Sequence, residues 1–333
     1  MLSDFKVKLR TLLSSALVCI AASACGELIY DDPEDCPEYR VKFRYDWNMK
    51  YADAFAHEVK AVTLYVLDPQ GSIVWSASES GEALAAGDYS MVVKVPAGKY
   101  DLLAWCDADE FGTYSFGEGK LKTDLTCSLN SKSAGDAPAY VDTDLDRLYY
   151  GYLSAADFSA KKGKVTVALG LKKNTNSFKV VLQHLSGAPV DCDKFDFSIS
   201  ADNALMDWDN SLLPSADIEY RAWSVYSGYI DLGTRAEALN VAIAELSTGR
   251  LVKGHSPRLN IRLKASGETV LSVPLIDYAL LVKGRYNEGL DDQEYLDRQD
   301  EYDMVFFLDE ADRWVDSFIY INSWKVVLQH TEL

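Results

Sequence analysis

Little in this 333-residue sequence is equipped for chemistry. There are four histidines (His57, His184, His255 and His330), scattered along the chain, and no GxSxG, HExxH, P-loop or GxGxxG pattern. Catalysis needs a positioned base or nucleophile, and no such grouping stands out. Gly117-Glu118-Gly119-Lys120 lacks the spacing and the following Ser or Thr of a phosphate loop. The acidic string Asp107-Ala108-Asp109-Glu110 does not follow the calcium-loop pattern and reads as a solvated loop. Asp207-Trp208-Asp209-Asn210 reads as a turn rather than a sugar site. Six cysteines include no CxxC, which argues against a structural zinc. Basic charge is scarce: 33 Lys and Arg against 51 Asp and Glu leave −18, a surface that repels nucleic acid and anionic lipid heads. These absences point away from an enzyme, from a cofactor or metal, and from nucleic-acid partners.

What is present begins at the N-terminus. Lys6, Lys8 and Arg10 precede an uncharged stretch from Thr11 to Ala24. A bilayer-spanning helix needs about 20 apolar residues, and this run falls well short once its serines are discounted. A basic start, a short apolar core and small residues read as a secretory signal over 1–24. The string Ala22-Ser23-Ala24-Cys25 then puts a cysteine directly after the small residues. That arrangement resembles the lipobox of bacterial lipoproteins, although Ala22 stands where leucine is preferred. Cys25 is therefore the expected lipidation site, with an ordinary signal peptide as the alternative. Two or more acyl chains anchor stably where one does not, so outer-membrane lipid is an expected partner. Residues 25–40 read as a lipidated start and an acidic, extended tether.

Loss of the signal and acylation of Cys25 leave Cys36, Cys106, Cys127 and Cys192. In an oxidising compartment an even number permits disulfides, and four cysteines allow three pairings. At least one bridge is expected, using Cys36 or Cys106.

The mature chain reads as short β-strands. Val41 to Tyr45 alternates apolar and basic residues. Val62–Leu67 and Ile73–Trp75 flank Asp68-Pro69-Gln70-Gly71, a type I turn that predicts a hairpin. Met91–Val95 with Tyr100–Trp105, and Leu259–Leu263 with Val270–Val273, predict two more. Further strands are expected at 165–169, 178–182, 195–199, 304–308 and 318–328, while 234–246 suits either a helix or a strand. The expected fold is all-β, with two tandem β-sandwich domains over 41–173 and 174–333, meeting at the polar stretch Lys172-Lys173-Asn174-Thr175. One internal echo is unusual. Asn176-Ser177-Phe178-Lys179-Val180-Val181-Leu182-Gln183-His184 matches Asn322 to His330 at every position but the aromatic one.

Several strings, taken in order, resemble the FimB-type lipoprotein anchors of donor-strand (type V) fimbriae in Gram-negative anaerobes. They are Asp35-Cys36-Pro37, Phe43 to Asn48, Ala52 to Val66, Gly98-Lys99-Tyr100, Leu148 to Gly151, Ala244 to Leu251, Gln293 to Gln299 and the closing Ile319 to Leu333. The resemblance implies transthyretin-like sandwiches and a structural role at the fimbrium base on the outer-membrane surface. Stalk pilin subunits of such fimbriae lose an N-terminal strand to an arginine-directed protease, and the next subunit's C-terminal strand fills the groove. Anchors look like uncleaved relatives, so the strand carrying Arg40 and Arg44 is expected to stay attached. The donor strand is expected at the C-terminus, where Phe318, Tyr320, Trp324, Val326 and Leu328 form one apolar row, broken at Asn322-Ser323 by a bulge or a tight turn. The alternative is that this segment is the last strand of its own domain. The rival function is a surface lipoprotein or tip adhesin that binds host glycan or protein.

Overall fold

A computed structural model describes residues 36–106, 112–230, 239–283, 287, 289–315, 318–322 and 324–327. In chain order the strands begin with β1 (Glu38–Trp47), β2 (Ala61–Leu67), β3 (Ile73–Ser80), β4 (Met91–Val93), β5 (Gly98–Cys106), β6 (Tyr114–Phe116) and β7 (Cys127–Leu129). Next come β8 (Lys132–Ala134), β9 (Ala137–Val141), β10 (Tyr149–Phe158), β11 (Lys164–Lys173), β12 (Asn176–His184), β13 (Phe195–Ala201) and β14 (Leu205–Met206). The rest are β15 (Ile218–Arg221), β16 (Ser224–Ile230), β17 (Leu239–Thr248), β18 (Arg258–Leu263), β19 (Thr269–Pro274), β20 (Glu301–Leu308), β21 (Phe318–Ile321) and β22 (Trp324–Val327). Short helices are α1 (Phe55–Glu58), α2 (Leu275–Leu280) and α3 (Asp292–Arg298). The fold is all-β, its sheets forming sandwich-like domains.

Alternation builds β1: Tyr39, Val41, Phe43 and Tyr45 are buried, each 3% exposed or less, while the residues between face outward. The strand lies between β11, which runs parallel to it, and β4, which runs antiparallel. They belong to a seven-stranded sheet in the order β3-β2-β5-β10-β11-β1-β4. Residues from across that sheet, Val66 and Phe43 among them, belong to one core cluster.

The second sandwich packs β16-β17-β12-β20-β21-β22 against β19-β18-β13-β15-β9-β8. Phe178, Val180 and Leu182 of β12 meet Phe195, Phe197 and Ile199 of β13 in one cluster. The sheets do not part cleanly at 172–175, because β9 adds in parallel to β15 and β7 pairs with β14. Leu67, Leu103, Trp105 and Tyr150 of the first sheet also join the second core.

Three expectations change. Met91–Val95 and Tyr100–Trp105 are not a hairpin: β4 pairs with β1, while β5 takes β2 and β10 as neighbours. Leu102 to Cys106 are all buried, as befits a strand covered on both faces with both edges occupied. The stretch 318–328 is not one strand. It folds into the antiparallel pair β21–β22 about Asn322, whose φ of +48° lies in the left-handed region that tight hairpin turns use. The ambiguous 234–246 contributes the strand β17, where Ala242, Ala244 and Leu246 reach the core with period two; 231–238 lie outside the described residues.

Candidate functional site

The motifs weighed for chemistry resolve into local structure. Asp124 closes the Gly117 to Lys120 loop on itself: its Oδ2 accepts from the amides of Lys120 (2.9 Å) and Leu121 (3.0 Å). Amides already bound to a carboxylate offer no phosphate cradle. Asp207 to Asn210 is a turn, with the Asn210 amide donating to the Asp207 carbonyl at 3.0 Å. Asp107 to Glu110 lie outside the described residues. Among the described residues no group of three His, Cys, Asp or Glu side chains could hold a metal. In the same residues, no helix is long and apolar enough to cross a membrane.

Cys25 lies outside the described residues. Cys36 and Cys192 carry free thiols. Cys36 is exposed just before β1, whereas Cys192 lies beside Ser227, whose hydroxyl donates to its sulfur at 3.3 Å. Cys106 and Cys127 are buried in two different core clusters.

Two places bear on the expected strand exchange. The first is the slot occupied by β1. Arg40 is pinned by Glu38 (Nε to Oε1, 2.5 Å) and by the Ser90 carbonyl (3.1 Å). The peptide bond after Arg40 lies between two paired neighbours. Arg44 is exposed and pairs with Asp46 at 2.8 Å, yet its backbone continues the ladder with β11. The strand thus fills its own groove.

The second is the C-terminal edge. Ile321 lies opposite Trp324 and Ile319 opposite Val326. Ile319 and Ile321 are fully buried, and Val326 packs against the same core. Phe318 and Tyr320 are half-buried and gather around Phe307, with ring centroids 4.8 and 5.9 Å away. The turn therefore splits the expected row of five, placing Phe318 and Tyr320 on the face opposite Val326. Leu328 lies outside the described residues. Asn322 fastens the turn to β20, its amide donating to the Asp303 carbonyl and its Oδ1 accepting from the Asp303 amide, both at 2.8 Å. Among the described residues β22 has one paired neighbour, β21, and an open edge on the other side.

Between these sites runs a joint that the sequence shows as a polar stretch between two strands. Asn174 and Thr175 are at most 1% exposed. The Asn174 and Asn210 side-chain amides bond reciprocally (2.6 and 3.1 Å). The Lys173 ammonium lies between Asp300 (2.5 Å) and Glu58 (3.2 Å). Glu58 also accepts from the Tyr149 hydroxyl at 2.8 Å; burial first, then this carboxylate, pushes the Tyr149 phenol far above its ordinary range. Asp297, buried on α3, accepts two bonds from Arg250 (both 2.9 Å), one from Lys172 (3.0 Å) and one from Gln293 (2.9 Å). The Arg298 guanidinium stacks 3.9 Å from the Trp47 ring centroid. The signal was present in the strings around Trp47, Arg250 and Gln293 to Gln299, but nothing in them named their partners.

An open cleft of about 400 Å3 lies over β12, β17 and β20. It is lined by Lys179, Glu245, Glu301 and Asp303 beside the exposed indole of Trp223.

The model of the fimbrillin-A-associated anchor proteins Mfa1 and Mfa2 matches residues 33–330. An adhesin candidate from Bacteroides thetaiotaomicron VPI-5482 is 34% identical, over 90% of this chain and 100% of its own, with a TM-score of 0.79. A candidate polysaccharide-binding protein from the same strain is 31% identical over 89% and 99%, with a TM-score of 0.76. The fimbrial anchor protein Mfa2 of Porphyromonas gingivalis shares the fold (TM-score 0.67, over 87% and 99% of the two chains) at 16% identity. No curated protein matches the sequence. On the extent of the family match, the chain belongs to the fimbrillin-A-associated anchor proteins.

Proposed function

We propose that the protein is a structural subunit, held in the outer membrane by lipid on Cys25, that terminates and anchors a fimbrial polymer through its C-terminal strands. The family is one of fimbrial anchors rather than enzymes. The observation that carries this reading is the contrast between the two ends. β1 is buried and paired on both sides, so it offers no acceptor groove, while β22, among the described residues, stands at a sheet edge with one side open. A subunit that gives a strand and takes none ends a polymer. The partners are fimbrial stalk pilins.

The test pairs two variants in cells. Cys25→Ser should release the protein from the membrane fraction. Removal of 323–333 should leave a folded, membrane-held protein that no longer retains pilin. The cut is placed after Asn322 because removing β21 as well would strip Ile319 and Ile321 from the core. Membrane retention of Cys25→Ser, or normal pilin retention by the truncate, would sink the reading.

A second reading has its own observation. Trp223, 40% exposed at the rim of a cleft bearing carboxylates, is the arrangement that stacks and hydrogen-bonds a sugar ring, as an adhesin would require. Loss of glycan binding in Trp223→Ala, with pilin retention intact, would favour it.

A further inference from the structure

We propose that β22, presented to the partner pilin, pairs its open edge with a parallel strand of that pilin, and that this strand sets a carboxylate opposite Lys325, between two large apolar residues. The inference rests on the reading of the C-terminal edge as the assembly contact and specifies what docks there.

It begins with the internal repeat, which the fold turns into a geometric equivalence. β12 runs parallel to β20, β20 antiparallel to β21, and β21 antiparallel to β22. The two repeats therefore run in the same direction within one sheet. They also present the same face, since Val180 is buried in the core against which its counterpart Val326 packs. For L-residues, strand direction and side-chain face together fix which way each N–H and C=O points. Lys325 and Val327 must then direct their backbone groups as Lys179 and Val181 do.

The neighbours agree. In sheet order an antiparallel strand precedes each repeat, β17 before β12 and β21 before β22. On the far side of β12 lies β20, in parallel. On the far side of β22, among the described residues, there is no strand. The vacant position beside β22 is the one that β20 fills beside β12.

β20 thereby describes the guest. Its Asp303 stands in register with Lys179, flanked by Tyr302 and Met304, both buried. Lys179 also has Glu245 in register on its other side. Lys325, the counterpart of Lys179, is exposed, has Tyr320 as its register partner on β21, and holds its ammonium 4.2 Å from the Phe318 ring centroid, with no carboxylate paired to it among the described residues. The missing carboxylate belongs to the incoming strand. A second copy of this chain is a poorer occupant, because β22 (Trp324–Val327) carries no carboxylate to set opposite Lys325, and the register that pairs the two Lys325 residues sets like charges against each other. Lysine on an edge strand guards against that kind of pairing.

The probe is a soluble peptide carrying residues 301–308 between Gly-Ser flanks, added to the full mature protein. Binding is followed by fluorescence anisotropy, and the site by hydrogen exchange. The Lys325 and Val327 amides should gain protection. Lys325→Glu should weaken binding at least about five-fold, on the scale of cross-strand charge pairs. A peptide with lysine in place of Asp303 should restore it to within about two-fold.

Unchanged protection at Lys325 and Val327, an affinity indifferent to removal of 323–333, or a charge reversal without rescue would each overturn the proposal. So would a concentration-dependent dimer that disappears on removing 323–333, which would assign the edge to a second copy. Failure of the underlying reading looks different: cells lacking 323–333 would still retain pilin. Loss of pilin on truncation, with an indifferent charge swap, defeats the edge pattern alone.

Discussion

Asp297 is the side chain on which most of the joint converges. Its carboxylate is 2% exposed and answers two cations, Arg250 and Lys172, besides the Gln293 amide. A buried ion pair contributes little net stability over an apolar equivalent, but removing one partner leaves charge stranded in a poorly solvated place. Asp297→Asn keeps the shape and removes the charge. It should cost about 3–5 kcal/mol in chemical denaturation. The control is Asp142→Asn, which breaks an exposed pair with Lys132 and should cause no measurable change. Equal, small effects for both variants would mean that the joint does not depend on its buried charge.

At the scale of the element, β1 and the C-terminal hairpin make opposite predictions about covalent integrity and exchange. Backbone held in ladders on both sides opens rarely and resists proteases. Protein recovered from cells should therefore have an intact mass beginning at or near Cys25. A dominant species starting at Val41 or Tyr45 would show that the groove opens. Period-two alternation made most strands legible, β1 and β13 among them, because each buries one face. The turn residues of Asp68 to Gly71 likewise disclosed the β2–β3 hairpin. Pairing was less legible. Met91 and Val93 carry a strand pattern that suits any apolar neighbour, and only the fold assigns them to β1 rather than β5. Asn322 was legible as a bulge or a turn. Choosing between them took the ladder with β21, and that choice decides which residues share a face. The joint was illegible for another reason: lysine and asparagine look solvated in sequence, and their burial depends on carboxylates more than 100 residues away, such as Asp297 and Asp300.

For the whole molecule, the crossing strands matter more than the boundary. β9 lies beside β15, and the first sheet lends Leu67, Leu103, Trp105 and Tyr150 to the second core. Halves that share strands and a continuous core should unfold together. Scanning calorimetry of the mature chain should show one transition with matching calorimetric and van't Hoff enthalpies. A fragment of residues 174–333 lacks β7–β9 and should not fold by itself, as judged by circular dichroism. Two separated transitions, or a stable fragment, would mean that the exchanged strands contribute little.

The parallel pairing of β1 with β11 bears on mechanics. On the proposed reading, a pull applied ahead of Glu38 acts on β1 along its own axis. Its hydrogen bonds to β11 and β4 then resist in shear and share the load, whereas a strand peeled from its end would lose them one at a time. On the same reading, tension entering at β22 crosses β21, β20 and β12 before it passes through the Lys173–Asp300 contact into β11. On that reading β1 is loaded along its ladders rather than across them, which suits a subunit that holds a long polymer.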